Sequence, residues 1–303
     1  MKCFLFLLSV ILFGENLNAA NSCMVLGFVD ESGANQSSVG FHKAADDIDI
    51  SIFCRESVFS RLDAETRKGF LKIGDEFCYS RLNLEYKGVV DVFPENQKLV
   101  GEGIPIDMSV AELSEIVKTQ KVIFYTGAGI SAGAVPTMDA LIKDFGLSSV
   151  NDKKMEPQDY IANVTKNPNY YIEIMRGFFD RCETAQPTVA HVELAKIIDS
   201  YNNSLVTENL DKLHQKTGID PMLFPGEFEN RENLESGGVM NANFVITIGL
   251  NTDEGGFLKW YKECNPTGKI ISINLNDTCY LSANDFSMKG DAQQIMKQLG
   301  ELL

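Results

Sequence analysis

The chain has 303 residues, 44% hydrophobic, with 27 Lys and Arg against 42 Asp and Glu, a formal charge of −15 and a pI of about 4.7. That composition fits a globular protein with length for two domains, and its acidity excludes modes of binding in which basic residues meet nucleic-acid phosphates or an anionic membrane surface. Seven cysteines without one Cys-x-x-Cys exclude a cysteine-rich zinc module of the usual spacing.

Residues 1–20 read as a secretory signal peptide. Lys2 precedes the apolar run Cys3–Gly14, and the small residues Ala19 and Ala20 close the segment. The run is too short to span a bilayer, which needs ~20 apolar residues. The expectation is an exported chain, periplasmic or secreted, with no stable membrane insertion after cleavage. The alternative is a buried N-terminal strand or helix, against which stands the lack of an amphipathic period. Cleavage leaves Cys23, Cys54, Cys78, Cys182, Cys264 and Cys279. An even count permits disulfides, and buried free thiols are the equal alternative.

Residues 21–105 predict a small α+β region of unknown role. Met24–Val29, Asp49–Phe53 and Leu82–Tyr86 have strand patterns, and Val58–Phe77 mixes apolar and charged residues at helical spacing. Gly33–Gly40, rich in Gly, Ser, Asn and Gln, reads as a loop, and Gly101–Pro105 as a linker. His42 has no evident partner and reads as a surface residue.

Residues 106–303 form the second region. Ser109–Glu112 is a capping box that opens a helix to about Lys118. Val122–Tyr125 is a short apolar run of buried-strand type. It leads into Thr126-Gly-Ala-Gly-Ile-Ser131, a strand–glycine turn–helix pattern. Gly127 and Gly129 would let a pyrophosphate approach the backbone, with a helix N-terminus behind it. The strict dinucleotide fingerprint is not met, because Gly133 comes one position late. Asn203–Thr207, Phe244–Leu250 and Lys269–Asn274 are further buried strands, each ending in small or amide residues. Helical patterns at Thr188–Asp199, Phe257–Cys264 and Ala292–Leu303 separate or follow them. The alternation predicts a doubly wound parallel α/β sheet, with ligands expected at the carboxyl edge of the strands.

Thr126-Gly-Ala-Gly-Ile-Ser131 with Pro136 resembles the signature of the sirtuins, the NAD-dependent protein deacylases. Asn167–Tyr171, Ala185–His191, Thr207–His214 with Gly218, Ile248-Gly249, Ile273-Asn274 and Gly290-Asp-Ala292 resemble that family's later blocks in order. The resemblance implies a Rossmann-like sheet of sirtuin type, NAD as cofactor, and NAD or ADP-ribose with an acylated protein as partners. It also implies roles for residues. Ala128, Gly129 and Ser131 would cradle the phosphates, with Gly127 setting the turn. Asn209 and Asp211 would lie near the nicotinamide and its ribose. Gly249 and Asn251 would face phosphate or ribose, and Asn274 the adenosine ribose. Asp291 and Ala292, after Gly290, would border the adenine. The bland alternative is that these amides cap turns.

The sequence also departs from that pattern. Thr137-Met138-Asp139 follows Pro136 where the family has Asp-Phe-Arg. Pro225 stands where the family has its general-base histidine, and proline cannot take a proton from a ribose hydroxyl. The seventeen residues between Gly226 and Phe244 contain no Cys or His, so no zinc site is expected. Glu208 replaces the family's glutamine and, with Asn209 and Asp211, is a candidate catalytic group, because a carboxylate can accept a proton or face a developing cation. Glu227 is a weaker carboxylate candidate, and His214 and His191 read first as packing residues. Three functions stay open. They are a divergent deacylase, an NAD glycohydrolase or ADP-ribosyl transferase, and a non-catalytic NAD- or ADP-ribose-binding module.

Overall fold

The computed structural model describes residues 6–9, 22–29, 35–44, 47–81, 99–136, 138–146, 156–223, 241–253 and 256–303. The chain divides into two compact units, residues 1–96 with 138–180, and residues 97–137 with 181–303. The segment 138–180, placed with the second region by sequence, therefore groups with the first.

The first unit carries an antiparallel sheet of β1 (Phe6–Ser9), β2 (Ser22–Val29), β3 (Asn35–Ala44), β4 (Asp47–Arg55), β5 (Leu71–Ile73) and β6 (Glu76–Ser80), in the order β1-β2-β3-β4-β6-β5. β1 lies within the segment read as a signal. β3 replaces most of the loop expected at Gly33–Gly40. Its small polar residues suit a central strand flanked by β2 and β4 along its length, and Val39 and Phe41 are fully buried. Val58–Phe77 is not one helix. Two single-turn helices, Glu56–Phe59 and Ala64–Arg67, give way to the β5–β6 hairpin, whose two-residue turn begins at Gly74 with φ +61°. A positive φ there is cheap only for glycine. Helices Met138–Asp144 and Pro157–Lys166 and residues 168–180 of the helix Pro168–Thr184 complete the unit. Aromatic pairs join them to the sheet, Phe41 with Phe145 and Phe28 with Tyr160, each at 5.3 Å between ring centroids. The strand expected at Leu82–Tyr86 lies outside the described residues.

The second unit is the expected doubly wound sheet. Among the described residues seven parallel strands are present, β7 (Ile106–Asp107), β8 (Val122–Thr126), β9 (Ser204–Thr207), β10 (Met222–Leu223), β11 (Phe244–Ile248), β12 (Lys269–Asn274) and β13 (Phe286–Lys289). Their order is β10-β9-β8-β11-β12-β13-β7. From β8 the chain winds outward through β9 and β10, then returns to β11 on the other side of β8. The crevice between the ends of β8 and β11 is thus the topological switch point, where α/β sheets bind ligands. On one face Phe124, Ile246 and Ile271 pack with Leu113, Leu194 and Met296 of the helices Val110–Thr119, Val189–Tyr201 and Ala292–Leu302. Strand alternation sends Tyr125, Thr247 and Ser272 to the other face, where the Tyr125 ring meets that of Phe257 on the helix Phe257–Cys264. The capping box at Ser109 forms as expected.

Asp285 anchors the β12–β13 connection. Its side chain is fully buried and accepts from Ile270 N at 2.8 Å, Ser282 N at 3.0 Å, Ser282 Oγ at 2.6 Å and Lys262 Nζ at 2.7 Å. Removing a buried charge partner leaves the other uncompensated, so Asp285→Ala should cost about 3–5 kcal/mol in urea unfolding. Asp277, exposed and paired with Lys289 at 2.6 Å, is the control. Asp277→Ala should leave the urea midpoint nearly unchanged, since exposed pairs contribute little.

Candidate functional site

β8, β9, β11 and β12 end level with one another. Thr126 lies opposite Thr207 and Ile248, and Ile248 lies opposite Ile273. The residues that follow these strands therefore share one edge. After β8 the chain makes a 3₁₀ turn, Ala128–Ser131, in place of the expected α-helix N-terminus. Gly127 N–H donates to Ile248 O at 3.1 Å, and Gly129 N–H to Gly249 O at 2.9 Å. The backbones approach so closely that a Cβ on Gly129 would sit 2.6 Å from Gly249 Cα. Gly249 itself has φ +64°, and its Cβ would sit 2.4 Å from Ile130 N. The glycines are needed first for loop-on-loop packing. Ala128 is exposed at the tip of the turn.

The residues after β9 tie into this turn. The Asn209 Nδ2 donates to Gly127 O at 3.1 Å and to Ser131 Oγ at 3.4 Å. Ser131 Oγ donates to Asp211 Oδ2 at 2.5 Å, and Asp211 Oδ1 accepts from Leu213 N at 2.9 Å. Ser131 and Asp211 are buried, so the Ser131 hydroxyl serves Asp211. Asn209, Asp211, Ser131 and Gly127 thus form one hydrogen-bonded group. The Glu208 N–H donates to Thr126 O at 3.1 Å, and its Oε1 accepts from the Tyr125 hydroxyl.

The β12 end is separate in its bonding. Asn274 Nδ2 donates to Leu250 O and to Asn251 Oδ1, both at 2.9 Å, and Asn251 is exposed. Asp291 caps the helix Ala292–Leu302 by accepting from Gln293 N at 2.9 Å. Ala292 is buried in the core behind it. Sequence reasoning missed Asp253. This buried carboxylate accepts from Leu99 N, Leu258 N and Lys259 N, at 3.1, 2.9 and 2.9 Å, and so caps the helix Phe257–Cys264. It also missed Tyr125 as the partner of Glu208. Thr137, Pro225 and Glu227 lie outside the described residues. Among the described residues no group of three or more His, Cys, Asp or Glu is placed to hold a metal. Cys54, Cys78, Cys182, Cys264 and Cys279 are free thiols, and burial pushes Cys54 and Cys182 up to about 12 and Cys78 to about 11.

His191 and His214 lie beneath the glycine turn with ring centroids 4.6 Å apart. His214 Nε2 bonds Thr126 Oγ1 at 2.9 Å, and His191 Nδ1 bonds Thr188 Oγ1 at 2.7 Å. Burial lowers His191 to about 4, and burial with the nearby His191 lowers His214 to about 3, against a raising effect of Asp211. Both rings are buried and neutral at neutral pH, each hydrogen-bonded to a threonine hydroxyl.

Two outcomes follow from this geometry. The unfolded histidines protonate near 6.5 while the folded ones resist, so their contribution is full above 6.5 and declines as pH falls toward 4 and then 3. His191→Leu should flatten the fall of Tm between pH 6.5 and 4.5 relative to the parent chain. Gly129→Ala should lower unfolding stability by about 3 kcal/mol, the upper end for overpacking, because the clash is with backbone.

No family model matches the chain. Over 172 residues it is 32% identical to an NAD-dependent protein deacetylase of Saccharolobus solfataricus, covering 54% of this chain and 57% of that protein. Over 110 residues it is 31% identical to an NAD-dependent protein deacylase of Pseudomonas putida, covering 35% of this chain and 40% of that protein. The chain spans between 39% and 61% of the length of the curated relatives it matches. Its fold is that of a solved Sir2 homologue described as an NAD complex, at a TM-score of 0.51 and 18% identity over 66% of this chain and 96% of that one. The resemblance to the sirtuins read from the sequence is borne out by these similarities in sequence and in fold.

Proposed function

We propose that the chain binds NAD at the carboxyl edge of its parallel sheet and cleaves the bond between nicotinamide and ribose. The observation that carries this reading is the group Asn209–Gly127–Ser131–Asp211, which fixes an amide and a glycine turn at the switch point. The donor set fits a dinucleotide's pyrophosphate and ribose hydroxyls. Ala128 is exposed at the turn, and at the neighbouring strand end Asn274 orients the exposed Asn251 through its Oδ1. The Ala128 N–H at the tip of the turn would meet the pyrophosphate, with Gly129 held beneath it by Gly249, Asn251 and Asn274 would lie at a ribose, and Asn209 at the ribose nearest the nicotinamide. NAD supplies a glycosidic bond whose leaving group departs neutral, so positive charge develops at the sugar carbon. Fixed dipoles and a carboxylate aimed at that carbon lower the barrier.

With Pro225 in the histidine's place, an acceptor other than an acylated lysine is the better fit, with water the simplest. A second reading is a binding module without turnover. It is favoured by the inward use of Ser131 and Asp211, whose polar atoms serve each other. Export belongs to the same proposal, on the leader-like segment Lys2–Ala20.

The test is incubation of the full chain with NAD, with and without an acetylated peptide. Nicotinamide release independent of peptide is the expected outcome. Release only with peptide points to deacylation, and thermal stabilisation without release points to the module. Asn209→Ala should cut release at least tenfold. Unchanged release and unchanged stabilisation by ADP-ribose would place the site elsewhere.

A further inference from the structure

Tyr125 is fully buried next to the end of β8, and a buried tyrosine hydroxyl requires a hydrogen-bond partner. Its hydroxyl donates to the Glu208 carboxylate, 83 positions away in sequence. The ring is braced by Phe257, 4.7 Å away between centroids. Glu208 is held a second time, through its own N–H on Thr126 O at 3.1 Å. Two consecutive residues of β8 therefore fix both the backbone and the side chain of Glu208. Its neighbour Asn209 is fixed in turn to Gly127. Glu208 is only half-buried and directly follows Thr207, the last residue of β9, at the carboxyl end of the sheet. A solvated loop carboxylate would sample many rotamers and lose that entropy on acting. This one is ordered in advance by a rigid strand.

We propose that Tyr125 is a positioning residue that presents the Glu208 carboxylate to the reacting edge, and that Glu208 supplies there a negative charge that faces the positive charge developing at the sugar carbon. This rests on the NAD-cleaving reading above. A neutral O–H donor on a carboxylate favours its ionised form and fixes its direction. Tyr125 thus sets both when the carboxylate is charged and where it points. The tyrosine itself makes no contact with substrate in this scheme.

The test uses Tyr125→Phe, which keeps the ring and deletes only the hydroxyl, with Glu208→Gln as the charge-free reference. The infrared carboxylate titration of the full chain, taken as parent minus Glu208→Gln, isolates Glu208 without any turnover. In Tyr125→Phe that titration should move up by about one pH unit, the size expected for losing one hydrogen bond to a charged acceptor. The acid limb of nicotinamide release should move with it, with a several-fold fall in kcat and KM for NAD little changed. Glu208→Gln should lose at least tenfold in kcat. Release by the parent with no movement of the infrared titration, or movement of the titration with no movement of the acid limb, overturns the inference alone. No release by the parent under any condition overturns the NAD-cleaving reading and this inference with it.

Discussion

The contact on which the site depends is between two stretches of bare backbone. Gly129 after β8 donates its N–H to Gly249 O after β11 at 2.9 Å, and Gly127 donates to Ile248 O at 3.1 Å. No side chain fits between them. The approach closes the crevice at the switch point from below and sets the height of everything placed on it. Asn209 reaches Gly127 O only because the turn is held there. Ser131, at the end of the same turn, is thereby brought to Asp211. The glycine pattern therefore has a structural cause that operates before any ligand arrives.

Beneath that contact the structure spends most of its polar groups on itself. Thr126 and Thr207 share a hydrogen bond across β8 and β9 at 2.7 Å, and His214 closes on Thr126. Thr188 Oγ1 and Gln293 Nε2 both donate to Ile130 O, at 3.0 and 2.9 Å, tying two helices to the turn. In a low-dielectric interior such satisfied networks rigidify, and an unsatisfied member would be costly. Residues that resemble a family's ligand contacts can therefore be retained for internal satisfaction as well. The groups left to address a ligand are those at the rim, Ala128, Asn251 and the partly exposed Glu208 and Asn209.

Much of the parallel sheet was legible in the sequence because its central strands are continuous apolar runs. Val122–Thr126, Phe244–Ile248 and Lys269–Asn274 are buried on both faces, so they carry no competing signal. The edge strands Ile106–Asp107 and Met222–Leu223 are two residues long and gave no pattern to read. β3 was misread because glycine and serine usually mark loops, whereas here they let a central strand pack closely between neighbours. Within the site, the order of Asn209, Asp211 and the glycine turn was readable as a motif. The Tyr125–Glu208 bond was not, because nothing local links a residue of β8 to the one that follows β9 until the register of the two strands is known. Asp253 and Asp285 escaped for the same reason, since acidic residues in loops look solvated until the amides they accept from are in place.

The 3₁₀ turn after β8 also bears on how an anion would reach this edge. Four residues align too few peptide dipoles to project a field of the kind a long helix sends into solvent. The chain as a whole carries −15 charges. An anionic ligand is therefore not drawn in from a distance but meets net repulsion until it is within contact of individual N–H groups. Encounter, rather than grip, becomes the sensitive step, and added salt, by screening that repulsion, should quicken association where a basic protein would be slowed.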